Sequence, residues 1–154
     1  MIAERFSKIG SQPTLEQNEV LPVVQSAMDY MRARTSSKIE YLLEVKGDEA
    51  MKQQGDKAKA MLCVPLFEWV IENICKNAID SMEGKGSITI SLQCADNRLY
   101  IDIADTGKGI DRRNFKRIFQ PGYTSKKRGW GLGLSLGKRI IEDYHRGKLF
   151  VKQS

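Results

Sequence analysis

The chain reads NICKN at residues 73–77, DTGKG at residues 105–109 and GWGLG at residues 129–133. Each stretch alone is a weak signal, because short glycine patterns arise by chance and asparagines on a helix are often surface residues. In this order they indicate a helix with oxygen-bearing side chains, an acid at the end of a strand, and a glycine-rich loop. Such a set predicts a pocket that holds a phosphate-bearing ligand together with a metal ion.

The first stretch lies on a predicted helix over residues 65–82, opened by a proline in its first turn. At about 100° per residue, Asn73, Asn77 and Asp80 fall within about 60° of one another, at one edge of the apolar stripe of the helix. Mg²⁺ prefers oxygen ligands of this kind and keeps several waters. The pattern therefore predicts a magnesium site, and the alternative is an ordinary polar edge on an amphipathic helix.

Two charged residues of the same helix project elsewhere. Glu72 and Lys76 fall near the centre of the face opposite the apolar stripe. An acid and a base in this i, i+4 order stabilise a helix by about a few tenths of a kcal/mol. The projection therefore favours a surface ion pair over a contact between Lys76 and a phosphate.

The second stretch ends a predicted strand whose inward aliphatic face is continued by Asp105. A carboxylate in that position needs a donor, because burying an unpaired charge is costly. The exocyclic amine of adenine is such a donor, whereas guanine presents an acceptor there and is repelled. Gly107 and Gly109 let the backbone turn tightly and approach the base. The alternative is a turn in which Asp105 bonds only its own backbone.

The third stretch closes a segment, residues 119–131, with few aliphatic side chains, several glycines and a basic run at 126–128. This composition predicts a loop that is mobile without ligand and acts as a lid. It leads into a predicted helix over residues 132–144. Because glycines at a helix N-terminus present N–H donors, the sequence predicts a phosphate site where the lid meets this helix.

The remaining elements follow from the spacing of apolar residues. An amphipathic helix is predicted from its apolar stripe of Val20, Val24, Ala27, Met28 and Met31. A short helix is predicted after Asp111, and a loop over residues 46–60. The predicted strands are residues 39–45, about 61–64, 88–92, 99–103 (joined to the previous one by a hairpin turn at 95–97) and 147–152. Together these elements predict an α+β fold, a two-layer sandwich of a mixed, mostly antiparallel sheet with helices on one face.

At 154 residues with 41% hydrophobic residues, the chain suits one domain with its own core. Its net charge of +6 comes from basic residues scattered among acids, so we expect no nucleic-acid partner. No apolar stretch approaches the ~18 residues of a membrane span. The three cysteines are widely spaced and match neither a metal site nor a disulfide framework. These features predict a cytoplasmic chain with reduced thiols, whether or not a parent protein is anchored in a membrane.

The motifs, in this order, resemble those of the ATP-binding catalytic domain of a bacterial sensor histidine kinase. That domain belongs to the superfamily of gyrase, the heat-shock chaperone, histidine kinases and MutL, and it has the Bergerat-type ATP-binding fold. The resemblance extends over residues 18–152. It implies ATP and Mg²⁺ as cofactors, Asn73 and Asn77 as catalytic residues, and Asn77 as the metal ligand with Asn73 as a second candidate.

The resemblance also implies roles for single positions. Asp105 would bind adenine, Ile110 would line the base pocket, Phe119 to Ser125 match a phenylalanine-containing box, and Gly129 to Gly133 match a second glycine box. The ATP-binding residues implied in this way are Asn73, Asn77, Asp80, Asp105, Gly107, Gly109, Ile110, Phe119, Tyr123, Thr124, Ser125, Lys126, Gly129, Gly131, Leu132, Gly133 and Leu134.

The chain departs from the superfamily pattern in informative places. ATPases of the superfamily carry a catalytic glutamate four residues before the metal asparagine, and this chain has Asn73 there. The resemblance therefore implies a kinase, which does not need to activate water. The only histidine, His145, is interpreted as a cap or cation at the end of the last helix and not as a phosphoacceptor. Residues 1–17 are interpreted as the remnant of a dimerisation helix and linker, and 18–154 as the catalytic domain, truncated before a last strand.

The resemblance thus implies a protein-histidine kinase fragment that transfers the γ-phosphoryl group of Mg-ATP to a histidine on a separate dimerisation domain, with a response regulator downstream. We expect the fragment to be monomeric and unable to phosphorylate itself without that domain. Two alternatives remain. One is a serine-directed kinase of the anti-sigma type, and the other is a catalytically silent nucleotide-binding module that recognises partners.

Overall fold

The computed structural model describes residues 13–123 and 133–152. Its strands are β1 (Glu16–Glu19), β2 (Ile39–Val45), β3 (Lys59–Leu62), β4 (Gly86–Ala95) and β5 (Arg98–Asp105). Its helices are α1 (Val20–Arg34), α2 (Glu49–Asp56), α3 (Val64–Ser81) and α4 (Gly133–Arg139). Two 3₁₀ turns, Arg112–Asn114 and Arg117–Phe119, follow β5, and a π-helical turn, Ile140–Tyr144, continues α4.

The larger sheet has the strand order β2-β4-β5. Strand β4 pairs in parallel with β2 and antiparallel with β5. The β4–β5 hairpin turns at Asp96 and Asn97, whose φ angles of 53° and 61° give the left-handed conformation that a two-residue hairpin turn requires. A second sheet pairs β1 with β3, also antiparallel. The predicted α+β fold with a mixed sheet is confirmed.

The core forms where α1 and α3 cover the inward face of β4. The fully buried side chains of that strand are Ile88, Ile90 and Leu92. The predicted stripe of α1 is confirmed by the burial of Val20, Val24, Ala27, Met28 and Met31. A second cluster joins α3 to the π-helical turn through Leu66, Trp69, Val70 and Ile140. Helix α3 is therefore packed on two sides.

The loop predicted over residues 46–60 is wrong, because its centre forms α2. Asp48 caps this helix, with its Oδ1 accepting a hydrogen bond from the Met51 N–H at 2.9 Å. Gly47 and Gly55 are the residues that favour a loop in the sequence. Gly47 lies just before the cap and Gly55 in the last turn, so neither interrupts the helix.

The strand predicted over residues 147–152 is also wrong, because these residues have no regular structure. Both backbone polar groups of Leu149 form hydrogen bonds with side chains. Its N–H donates to Glu142 Oε2 at 3.1 Å, and its carbonyl oxygen accepts from Lys138 Nζ at 3.0 Å. Since these are the groups that a strand ladder would use, the segment is held to α4 and the π-helical turn and not to a neighbouring strand.

The bounds of the other elements differ only slightly from the predicted ones. Strand β3 begins before the predicted start at residue 61, and β1 was not predicted. Strand β1 lies across the proposed division between residues 17 and 18, while residues 1–12 are outside the described part of the chain. Among the described residues, no helix is long and apolar enough to cross a membrane.

The cysteines differ in exposure, which gives a direct test of the packing. Cys75 is fully buried and Cys63 nearly so, whereas Cys94 is half-buried. Burial, assisted by the nearby Glu72 carboxylate, raises the pKa of the Cys75 thiol to about 12. Because the thiolate is the reactive form, we expect only Cys94 to react readily with a thiol-specific disulfide reagent at pH about 8. Unfolding in urea should expose all three thiols, and rapid reaction in a folded Cys94→Ser variant would contradict this packing.

Candidate functional site

The polar edge of α3 lines a cleft of about 490 Å³. Asn73, Asn77 and Asp80 all border this cleft, so the structure brings the three predicted oxygen ligands together. The opposite wall includes Tyr30 and Arg34 of α1, which no motif in the sequence indicated. The only indication of this pair in the sequence is that the two residues stand four positions apart near the end of a predicted helix.

The two α1 residues form a unit. The Arg34 guanidinium lies 3.7 Å from the centre of the Tyr30 ring. It also donates from Nη1 to the Tyr30 carbonyl oxygen at 3.2 Å. These contacts hold one cation at the wall of the cleft, and the exposed Lys76 supplies another. The cleft therefore combines amide groups with two positive charges and the single carboxylate of Asp80.

Asn73 also contacts the beginning of α4. A Cβ atom on Gly133 would lie 2.5 Å from Asn73 Nδ2, so the close approach of α4 to α3 depends on a glycine there. Asn73 Nδ2 is buried and has no hydrogen-bond partner among the described residues. A buried donor without an acceptor costs about 1–3 kcal/mol. An acceptor oxygen of a ligand at this point would remove that cost.

The position predicted for Glu72 is wrong, because this residue is only 4% exposed and does not lie on a solvent face. Helix α3 packs against both α1 and α4. The face left to solvent is therefore narrower than the projection of an isolated helix indicates. Lys76 is exposed as expected, but it lines the same cleft as Asn73 and Asn77, so its predicted position away from that edge is wrong.

Asp105 lies at the end of β5, beside the C-terminal end of α3. Its Oδ1 accepts from the Gly107 N–H at 2.7 Å, which is the backbone turn considered as the alternative. The carboxylate is exposed, and its Oδ2 has no hydrogen-bond partner among the described residues. One oxygen is thus used to orient the side chain, and the other is available to a ligand donor.

Gly107 permits this arrangement, since a Cβ there would overlap the Ser81 side chain and lie 2.9 Å from its backbone carbon. The Lys108 N–H also donates to the Ser81 carbonyl oxygen at 3.4 Å. The strand end is therefore held against the end of α3. Gly109 has a φ of 80°, as predicted for a tight turn.

The other predicted residues are less enclosed. Ile110 and Tyr123 are 38% and 37% exposed, and Leu134 is half-buried. Phe119 is half-buried, with Lys138 Nζ 4.9 Å from its ring centre. The predicted residues outside the described part of the chain are Thr124, Ser125, Lys126, Gly129, Gly131 and Leu132.

His145 caps the π-helical turn, as predicted for one of its two interpretations. Its Nδ1 lies 2.8 Å from the Ile140 carbonyl oxygen, and its Nε2 accepts from the Cys63 N–H at 3.0 Å. Because a carbonyl oxygen can only accept, Nδ1 is the donor in the first contact, and Nε2 is left to accept in the second. His145 thus joins the end of the last helix to the residue before α3.

The chemistry of the donor set fits Mg²⁺. No three histidine, cysteine, aspartate or glutamate side chains cluster as metal ligands in the described residues. Asn73, Asn77 and Asp80 offer only oxygen ligands along one edge of α3. Mg²⁺ is commonly bound by few protein oxygens together with waters and phosphate oxygens. The edge can therefore hold this ion together with a polyphosphate.

Comparison with known proteins identifies related domains. Residues 64–154 match the family described as "Histidine kinase-, DNA gyrase B-, and HSP90-like ATPase". The chain is 30% identical over 140 residues to "Sporulation kinase E" of Bacillus subtilis, covering 89% of this chain and 18% of that protein. The chain spans less than a fifth of the length of the sporulation kinases D and E of Bacillus subtilis.

Solved structures share the fold. The nucleotide-free catalytic domain of histidine kinase ThkA superposes with a TM-score of 0.75 at 22% identity, covering 88% of this chain and 85% of that one. ThkA in complex with the response regulator TrrA gives a TM-score of 0.73 at 19% identity, covering 91% of this chain and 38% of that one. At these identities the likeness establishes the architecture alone.

Proposed function

Because the chain belongs to the histidine kinase-, DNA gyrase B- and HSP90-like ATPase family, we propose that it binds Mg-ATP and passes the γ-phosphoryl group to a histidine on a separate dimerisation domain. The observation that carries the proposal is the carboxylate of Asp105. One of its oxygens is fixed by the Gly107 N–H, and the other is open beside the end of α3. An exocyclic amine placed there would complete the pairing of the side chain.

The asparagines would act at the other end of the nucleotide. Asn77 would hold Mg²⁺, with Asn73 as a second ligand, and the unpaired Asn73 Nδ2 would donate to a phosphate oxygen. Mg²⁺, when bound, neutralises phosphate charge. The chain would thereby orient the terminal phosphate for in-line attack, and positioning and charge stabilisation would supply most of the catalysis.

Two features favour transfer to a partner over reaction within the chain or with water. Both nitrogens of His145 are engaged, one with the Ile140 carbonyl oxygen and one with the Cys63 N–H. Glu72 is buried, which supports a kinase lacking the glutamate base of the related ATPases. The acceptor imidazole would therefore come from the dimerisation domain. We further propose that the phosphohistidine then serves a response regulator, as in a two-component system.

The proposal is tested with γ-³²P-labelled ATP, Mg²⁺ and a histidine-bearing dimerisation hairpin supplied in trans. We expect an acid-labile label on the hairpin and none on this chain, with a hairpin lacking its histidine as the control. Acid-stable label on a serine would instead support the anti-sigma type of kinase. Binding of ATP without any transfer would support the silent nucleotide-binding module.

The metal role of Asn77 gives a separate prediction. Replacing it by alanine should weaken binding of Mg-ATP much more than binding of metal-free ATP, because the lost oxygen acts on the cation. Calorimetric titrations with Mg²⁺ and with EDTA measure this difference. Asn18→Ala, on β1 and outside the cleft, is the matched control. Equal losses with and without Mg²⁺ would remove Asn77 from the metal site.

A further inference from the structure

Lys138 on α4 contacts three separate parts of the chain. Its Nζ lies 4.9 Å from the centre of the Phe119 ring. The same ammonium group donates to Glu142 Oε2 and to the Leu149 carbonyl oxygen, both at 3.0 Å. It therefore joins the last 3₁₀ turn after β5 to the last helix and to the C-terminal segment.

The partners of Lys138 also hold each other. Glu142 Oε2 accepts from the Leu149 N–H at 3.1 Å, so lysine, glutamate and backbone form a closed ring of hydrogen bonds. The Leu149 N–H and the neighbouring Lys138 lower the pKa of the Glu142 carboxyl, although partial burial acts against them. The carboxylate is therefore ionised at neutral pH, and the ammonium group that it pairs with is also bound to the Leu149 carbonyl oxygen while it lies over the aromatic ring.

We propose that Lys138 is a positioning residue for nucleotide binding, whose ammonium group fixes the Phe119 ring against α4. This inference rests on the function proposed above and on the resemblance of the sequence, which implies that Phe119 is one of the ATP-binding residues. Helix α4 begins at Gly133, which packs against Asn73 of the cleft. Lys138 therefore links the Phe119 ring to the helix whose first residue packs against the polar edge of α3.

The two contacts of the lysine side chain have different consequences. The ion pair between Lys138 and Glu142 is partly exposed, at 38% and 32% of the respective side chains, and such pairs contribute little to stability. The contact of the cation with Phe119 is the one that bears on the site. Variants can separate the two, because removing the carboxylate leaves the ammonium group over the ring.

Affinity for ATP in the presence of Mg²⁺ is the first measurement. Lys138→Met keeps the length of the side chain but removes its charge, and should weaken ATP binding about three- to thirtyfold. Lys138→Arg should restore affinity to within about twofold, because a guanidinium also binds an aromatic face. Glu142→Gln is the matched control and should also bind within about twofold of the parent chain.

A double variant tests whether Lys138 acts through the ring. Phe119→Leu should reduce affinity by itself, and adding Lys138→Met should cause little further loss, because the cation then has no ring to hold. If the double variant weakens ATP binding by the product of the two single-variant factors, the proposal is overturned. Parent-like affinity in Lys138→Met would also overturn it.

A nucleotide-free measurement keeps the inference separate from the proposed function. The Gln120 N–H donates to the Arg117 carbonyl oxygen at 2.9 Å, in the turn that carries Phe119. Hydrogen exchange at the Gln120 N–H should accelerate in Lys138→Met, but not in Lys138→Arg or Glu142→Gln. If the parent chain fails to bind ATP, the proposed function fails, whereas unchanged exchange in Lys138→Met overturns the positioning role.

Discussion

Replacing Asp105 by asparagine is expected to weaken ATP binding by about one to two orders of magnitude. The asparagine carbonyl can still accept from the Gly107 N–H, so the turn is kept. Its amide group, however, places a donor where Oδ2 was open, opposite the donor amine of adenine. Loss of a hydrogen bond to a charged group costs about 1.5–3 kcal/mol, which corresponds to this change in affinity. Calorimetric titration of the variant with Mg-ATP measures it.

Asp102→Asn provides the matched control on the same strand. Asp102 binds Lys152 at 3.2 Å through an exposed ion pair and is not at the strand end. This variant should bind ATP as the parent chain does, and both variants should melt within a few degrees of it. Parent-like affinity in Asp105→Asn would remove the adenine role from this residue.

Truncation of Ile140 to alanine is expected to lower the free energy of unfolding by about 2–5 kcal/mol. Ile140 is fully buried in the cluster that attaches the last helix to α3. The cavity left by the side chain adds to the lost burial. Domains of this size have about 5–15 kcal/mol of stability in total, so urea denaturation should show a clear fall in the midpoint.

Leu42→Ala controls for the loss of methyl groups alone. Leu42 is 41% exposed on the face of β2 away from the core, so its truncation should change stability by about 0.5 kcal/mol or less. Similar midpoints for the two variants would show that the second cluster does not hold the last helix. A lower free energy of unfolding in Ile140→Ala, with an unchanged dependence on urea concentration, would confirm the packing described here.

The sequence predicts those elements whose signal is local. The stripe of α1 and the alternation in β4 repeat within a few residues, and each spacing corresponds directly to one buried face. The hairpin between β4 and β5 is predicted by polar residues at its turn. The asparagine edge of α3 follows from the helical repeat alone, and the cleft beside it contains all three predicted residues.

What the sequence could not provide depends on contacts between distant segments. Burial of Glu72 requires knowing that α3 is packed on two sides. The strand expected around Leu149 does not form because side chains of the preceding helix bind its backbone groups. Arg34 and Lys138 belong to no motif, and only the folded chain places them beside the candidate site.

The parallel pairing of β2 with β4 has a consequence for how the chain folds. Parallel neighbours cannot be joined by a tight turn, and the connection between these strands contains α2, β3 and α3. The two strands can therefore pair only after the long segment between them has packed against the sheet. Such non-local pairing is slow. Because α3 lies within that segment, the helix bearing the asparagines is placed as the sheet itself is completed.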